Sequence, residues 1–290
     1  MPHSAPATGG RCGLPVREHR RVDTHVAVAV ASVLIAMMLV WSAAVQAGVL
    51  AGRFVPPPDS SMPGGQYGAL VRDGYKIFTD TPKYAGQYVG NALSCKDCHL
   101  DAGRKPYAIP IWAAYGMFPE YEARARQVID YPRRLQECFQ FSENGYPPPL
   151  DSQVVRALTA YSHWLATGAP VGVQMPGRGV RPLPQTAHGP DPVAGRTIYV
   201  DQCSTCHGYD GHGLVSDGKY VVPPLWGPAS FNRGAGMAKL PVAAAFIKAN
   251  MPENDADLTD QEAEDVAAWM ELQVRPPNPS KGPLAWLLHW

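Results

Sequence analysis

Cysteine is scarce in this chain. Six residues among 290 are too few for the dense disulfide framework of a small secreted module. Charge is thin as well: 17% of residues are charged, and 25 basic side chains balance 25 acidic ones. Without a basic stripe there is no electrostatic footprint for nucleic acid. Runs that alternate as strands do are few, so the class expected is all-α. At 31.3 kDa and 46% apolar residues the chain can form about two domains, each with its own core.

The few cysteines are concentrated. Four of them stand in two C-x-x-C-H pentapeptides, Cys95-Lys96-Asp97-Cys98-His99 and Cys203-Ser204-Thr205-Cys206-His207. In c-type haem attachment the two thiols form thioether links to the porphyrin vinyl groups. The histidine that follows becomes the proximal iron ligand. A zinc ribbon spaces its C-x-x-C pairs roughly 15–20 residues apart, whereas these lie 108 positions apart. Two covalently bound haem c groups are therefore expected, held by Cys95, Cys98, Cys203 and Cys206, with His99 and His207 on the irons.

The N-terminus carries a targeting pattern. Arg11, Arg17, Arg20 and Arg21 precede the apolar run Val26 to Trp41, and small residues up to Ala47 suit cleavage before Gly48. The rival reading is an uncleaved anchor, because Val26 to Ala51 is long enough to span a bilayer. A membrane partner follows only in that second case. Either way residues 1–47 deliver the rest to the periplasm, where c-type haem is attached. Cys12 precedes the apolar run, so it is not a lipoprotein cysteine.

Two Pro/Gly-rich stretches divide the remainder. Residues 48–66 read as a loop, and residues 167–191 as an interdomain linker without helical periodicity. The expected organisation is a first cytochrome c domain over 67–166, the linker, and a second domain over 192–276. A tail over 277–290 follows, whose Trp286-Leu287-Leu288-His289-Trp290 is too short to span a membrane. In the second half, Val193 to Asp201 predicts a short helix entering the haem motif, and Leu240 to Ala249 another. The last helix starts at Thr259, an N-cap with Glu262 as capping-box partner.

The distal ligands differ. For the second haem the candidates are Met237 and Met251. Met251 sits in the loop before the last helix, is held extended by Pro252, and is favoured; Met237 reads as core packing. Between the first haem motif and the linker Met117 is the only methionine, but Cys138 lies 39 residues after His99. Asp130-Tyr131-Pro132 predicts a helix start with Pro132 at the first helical position. Arg134 and Cys138 then share a helix face, and an arginine beside a thiol favours thiolate.

Several stretches together resemble the dihaem thiosulfate dehydrogenases, which also act as tetrathionate reductases. They are Tyr88 to Ser94, Cys98 to Pro106, Cys138-Phe139, Ser142, Asn144-Gly145, Ala160 to Leu165, Gly234 to Met237 and Ala243 to Pro252. The likeness covers roughly residues 67–276. It implies two tandem class I-like cytochrome c domains, with His99 and Cys138 as ligands of an active-site haem. His207 and Met251 would ligate an electron-transfer haem. It also implies substrate roles for Arg124, Arg134 and Ser142 beside Cys138. Two thiosulfate dianions meeting at one site need cations to offset their repulsion.

Two positions depart from the family pattern: Phe141 stands at an arginine position and Glu143 at a methionine position. Asn250 stands where some members carry a lysine ligand. The activity implied is oxidation of two thiosulfates to tetrathionate, with electrons passing to a soluble cytochrome c or similar acceptor. The alternatives are a non-catalytic dihaem carrier, or cytochrome subunit of a larger dehydrogenase, and a protein working mainly toward tetrathionate reduction.

Overall fold

The structure is a computed structural model that describes residues 28–38 and 55–281. Cys12, the cleavage region before Gly48 and the segment Trp286–Trp290 lie outside the described residues. Chain contacts separate Met1–Leu50 from Ala51–Trp290. In the first unit residues 28–38 form an exposed helix, α1. Among the described residues no helix is long and apolar enough to cross a membrane.

The second unit is mostly helical, as its composition predicts. Helices α2 (Gly65–Thr79) and α3 (Thr81–Ala85) lead into α4 (Cys95–Cys98) and α5 (Leu100–Gly103), then α6 (Tyr131–Phe141) and α7 (Gln153–Leu165). Helix α8 (Pro192–Ile198) runs through a π-turn, Tyr199–Cys203, into α9 (Ser204–His207), followed by α10 (Leu240–Asn250) and α11 (Asp260–Glu271). Two short antiparallel ribbons interrupt this plan: β1 (Glu120–Glu122) with β2 (Gln127–Ile129), and β3 (Leu214–Ser216) with β4 (Lys219–Val222).

Local chemistry sets the helix starts. The Asp130 carboxylate accepts from the Arg133 amide at 2.9 Å and caps α6, which begins at Tyr131. Pro132 therefore occupies the second helical position, not the first. A proline is tolerated in this turn because its missing N–H has no intrahelical partner anyway. Helix α11 opens with the expected capping box, in which Thr259 and Glu262 satisfy each other's backbone amides.

One crossing recurs in the two halves. Gly74 of α2 lies against Ala157 of α7, where a Cβ would come within 2.1 Å of the Ala157 carbonyl oxygen. Gly195 of α8 lies against Asp265 of α11, where a Cβ would come within 1.9 Å of the Asp265 carbonyl oxygen. Only glycine lets the backbones approach this closely. Around the first crossing Phe78, Leu158, Tyr161 and Leu165 form a buried core; around the second, Tyr199, Trp226, Val266 and Met270 do so. Burying each such side chain stabilises the fold by about 1.5–3 kcal/mol. A third, smaller cluster joins Leu93 and Phe141 to Phe231 and Ala235. Here the halves meet, and the Asn232 amide group donates to the Gln140 carbonyl at 2.9 Å.

The stretch 167–191 is not a loose tether. Met175 is buried in the first core, and the amides of Tyr107 and Ile109 donate to the Gly177 and Gly179 carbonyls at 2.8 and 3.0 Å.

Candidate active site around Cys138

Both cysteines of the first pentapeptide, with His99, face one cavity of about 330 Å³. Its walls also include Arg134, Cys138, Ser142 and Glu143. The chain reaches this arrangement by simple means. Ser94 and Asp97 form a capping box that starts α4, and the Thr81 hydroxyl lies 3.6 Å from the Cys95 sulfur. His99 Nδ1 donates to the Ile109 carbonyl at 2.5 Å, which leaves Nε2 as the nitrogen that could ligate a metal. His207 Nδ1 donates in the same way to the Pro223 carbonyl at 3.1 Å. A histidine that binds metal is oriented by such a bond on its other nitrogen.

Burial pushes both imidazole pKa values down, favouring the neutral form that can coordinate iron. All five described cysteines are free, as thioether formation requires. Thiol pairs, tethered imidazoles and an apolar cavity fit a c-type haem at the first motif. The second motif supplies the same donor set, with Cys203 and Met251 packed against the core of Tyr199 and Trp226.

The two candidate methionines separate in space. Met237 lines the first cavity and packs with Leu93 and Phe141, away from the second core. Met251 ends α10 beside that core.

Arg134 stands one turn before Cys138 on α6, and both face the cavity. The thiol is nevertheless held above its ordinary pKa, because burial outweighs the lowering by Arg134. Arg134 lowers the thiol pKa, as its spacing on the helix suggests; burial is the largest cause, and nearby carboxylates add to it. Arg134 Nη1 pairs with Glu122 at 2.9 Å and Glu137 at 2.7 Å, and the charges of Glu137 and Glu143 push the thiol up as well. Burial works against ionising Glu122 too, but the Arg124 amide and the charges of Arg134 and Arg124 hold its carboxyl below the usual value.

Arg124 is placed differently. It is not among the cavity walls; its guanidinium donates to the Gly234 carbonyl at 2.5 Å and stacks over Phe141 at 4.6 Å. Ser142 lines the cavity, and its backbone carbonyl accepts from the Asn91 amide group at 2.7 Å.

Glu143 is the surprise of the site. It is only 3% exposed, its Oε2 has no hydrogen-bond partner, and Oε1 lies 4.0 Å from the Cys95 sulfur. Burial, with a smaller push from Asp97, raises its carboxyl well above the ordinary value. No sequence pattern marks a glutamate for burial. The only signal was its departure from the family pattern. Arg178, Glu120 and Met237 are further walls that come from the supposed linker, a ribbon and the second half.

A raised carboxyl pKa means that Glu143 favours folding below the unfolded value, about 4.3. That contribution is lost as pH rises through the folded value. Glu143→Gln, which stays neutral, should therefore gain thermal stability relative to the parent as pH rises from acid to neutral. Parallel melting curves across that range would refute a neutral buried Glu143.

Comparison with known proteins places this geometry. The cbb3-type cytochrome c oxidase subunit III family matches residues 190–270, around the second pentapeptide. Thiosulfate dehydrogenase of Stutzerimonas stutzeri is 50% identical over 237 residues, 81% of this chain and 77% of that protein. Thiosulfate dehydrogenase of Allochromatium vinosum is 40% identical and covers 76% of this chain and 83% of its own.

This chain belongs to the thiosulfate dehydrogenase family.

A solved thiosulfate dehydrogenase (TsdBA) from Marichromatium purpuratum superimposes with a TM-score of 0.78 at 42% identity. It covers 80% of this chain, which spans about half of that longer one (52%). In this thiosulfate dehydrogenase family member, then, the mostly helical cytochrome c-type fold carries a cavity that joins a C-x-x-C-H motif to a lone cysteine.

Proposed function

We propose that the protein oxidises two thiosulfates to tetrathionate at the cavity around Cys138, and that it carries two haem c groups in tandem cytochrome domains over 67–166 and 192–276. In this reading His99 and Cys138 would hold the first iron, and His207 and Met251 the second. The observation that carries it is Cys138 on the same cavity as Cys95, Cys98 and His99.

When bound, each haem supplies a one-electron acceptor. The sulfur chemistry belongs to Cys138. Its thiolate and one thiosulfate together lose two electrons as a Cys138–S–S–SO₃⁻ adduct forms. A second thiosulfate attacks the sulfur joined to Cys138, making tetrathionate and releasing the thiolate. No proton is consumed, and the reverse is ordinary thiol–disulfide exchange. Arg134 offsets the negative charge that accumulates, and Ser142 offers a hydroxyl to the sulfonate oxygens. Arg124, held by Gly234, acts from the edge of the cluster.

A second haem, which Cys203, Cys206, His207 and Met251 would hold, would supply the outlet for electrons to a soluble cytochrome c or similar acceptor. The motif chemistry and the N-terminal pattern support a periplasmic location.

Purified protein supplied with thiosulfate should reduce ferricyanide and accumulate tetrathionate. Its mass should show two haems, one of which disappears when Cys203 and Cys206 are replaced. Two attached haems with no activity on thiosulfate or tetrathionate would leave an electron carrier and overturn the reading.

A further inference from the structure

The segment between the two haem motifs holds an arginine that the mechanism does not use. Gly177 and Gly179 both have positive φ, 90° and 68°, and their carbonyls are bonded to the loop that orients His99. Arg178, between them, is thereby fixed on the wall of the first cavity. Its guanidinium pairs with Glu120 at 2.8 Å and with the Gln174 side chain at 2.9 Å. Glu120, another wall residue, has its side chain 42% exposed, against 22% for Arg178.

The cavity's other arginine is already engaged. Arg134 is held by Glu122 and Glu137, and Arg134 and Arg124 are the cations that act on the Cys138 sulfur. A haem brings two carboxylates into this space, and a carboxylate leaving water needs a cation and hydrogen bonds. A guanidinium offers both in a fork matched to the carboxylate.

We propose that Arg178 anchors a propionate of the haem held by Cys95 and Cys98, which makes the Pro/Gly-rich strap a wall of that site. This rests on the haem reading above. Glu120, the more exposed partner, turns toward water when the second carboxylate arrives.

Redox titration of full-length holoprotein tests this, following each haem by its own optical and paramagnetic signals. Arg178→Gln removes a positive charge beside the first haem, which favours the oxidised iron. The first potential should fall by the equivalent of about tenfold in the reduction equilibrium, ~59 mV for one electron. The second potential and the KM for thiosulfate should stay put. Arg178→Lys, which keeps the charge without the fork, should move the first potential the same way by less, and carries the test if the glutamine variant does not accumulate.

An unmoved first potential overturns the proposal. A raised KM with an unmoved potential overturns it too, and assigns Arg178 to the substrate. Absence of haem on the Cys95–Cys98 peptide of the parent protein would be a failure of the haem reading itself.

Discussion

Cys138→Gly should abolish thiosulfate-dependent acceptor reduction, by on the order of 10³-fold or more, while haem stays attached at both pentapeptides. Cys138 is the one described thiol that haem attachment leaves over. In the proposed reading Cys95, Cys98, Cys203 and Cys206 would be thioethers, so none of them could form the adduct with thiosulfate. Glycine is also small enough to leave the α6 packing of Leu135 and Phe139 in place, although it lowers helix propensity by about 1 kcal/mol. The electronic spectrum of the first haem should change with the loss of its sulfur ligand, and that of the second should not. Turnover retained in this variant would sink the sulfur mechanism, whatever else the haems do.

Arg134→Ala should lower kcat/KM for thiosulfate by on the order of 10²-fold. The guanidinium has two roles in the structure. It holds Glu122 and Glu137 beside the cavity, and it is the strongest influence opposing the burial-driven rise of the Cys138 pKa. Its removal leaves the Glu122 carboxylate on the cavity wall with only the longer Arg124 pair and takes away the largest influence that lowers the Cys138 pKa. Both changes act in the same direction. Arg134→Lys keeps the charge but loses the fork, and should fall between parent and alanine. Steady-state kinetics at fixed ionic strength would check this; an alanine variant with parental kcat/KM would remove Arg134 from the site.

Much of this was legible without coordinates because covalent chemistry demands fixed spacing. The C-x-x-C-H motifs, the capping box at Thr259 and the one-turn separation of Arg134 from Cys138 are local in sequence, and the structure keeps them local. The choice of Met251 over Met237 for the second haem rested on loop position alone. In the structure Met237 packs against the cluster of Phe141 and Leu93, and Met251 against the core of Tyr199 and Trp226.

What failed to be legible came from long-range packing. Arg134 does lower the Cys138 pKa, as spacing suggests, but the net rise comes from burial, which depends on the elements that close over α6 and not on the neighbouring residues in sequence. Glu143 is polar by type and buried by circumstance. Residues 167–191 look like a tether because they lack periodicity. Yet hydrogen bonds to Tyr107 and Ile109 need only matching backbone, which no side-chain pattern reveals.

The sequence by itself marked which groups are available: four cysteines and two histidines in two C-x-x-C-H motifs and, beyond the N-terminal segment with Cys12, Cys138 as the spare thiol. Those assignments follow from bond lengths and short chain segments. Only the tertiary structure decided how the spare thiol is surrounded, which arginines are already paired and that a linker residue lines the cavity. Electrostatics and desolvation depend on distances between residues remote along the chain, and those distances exist only once it is folded.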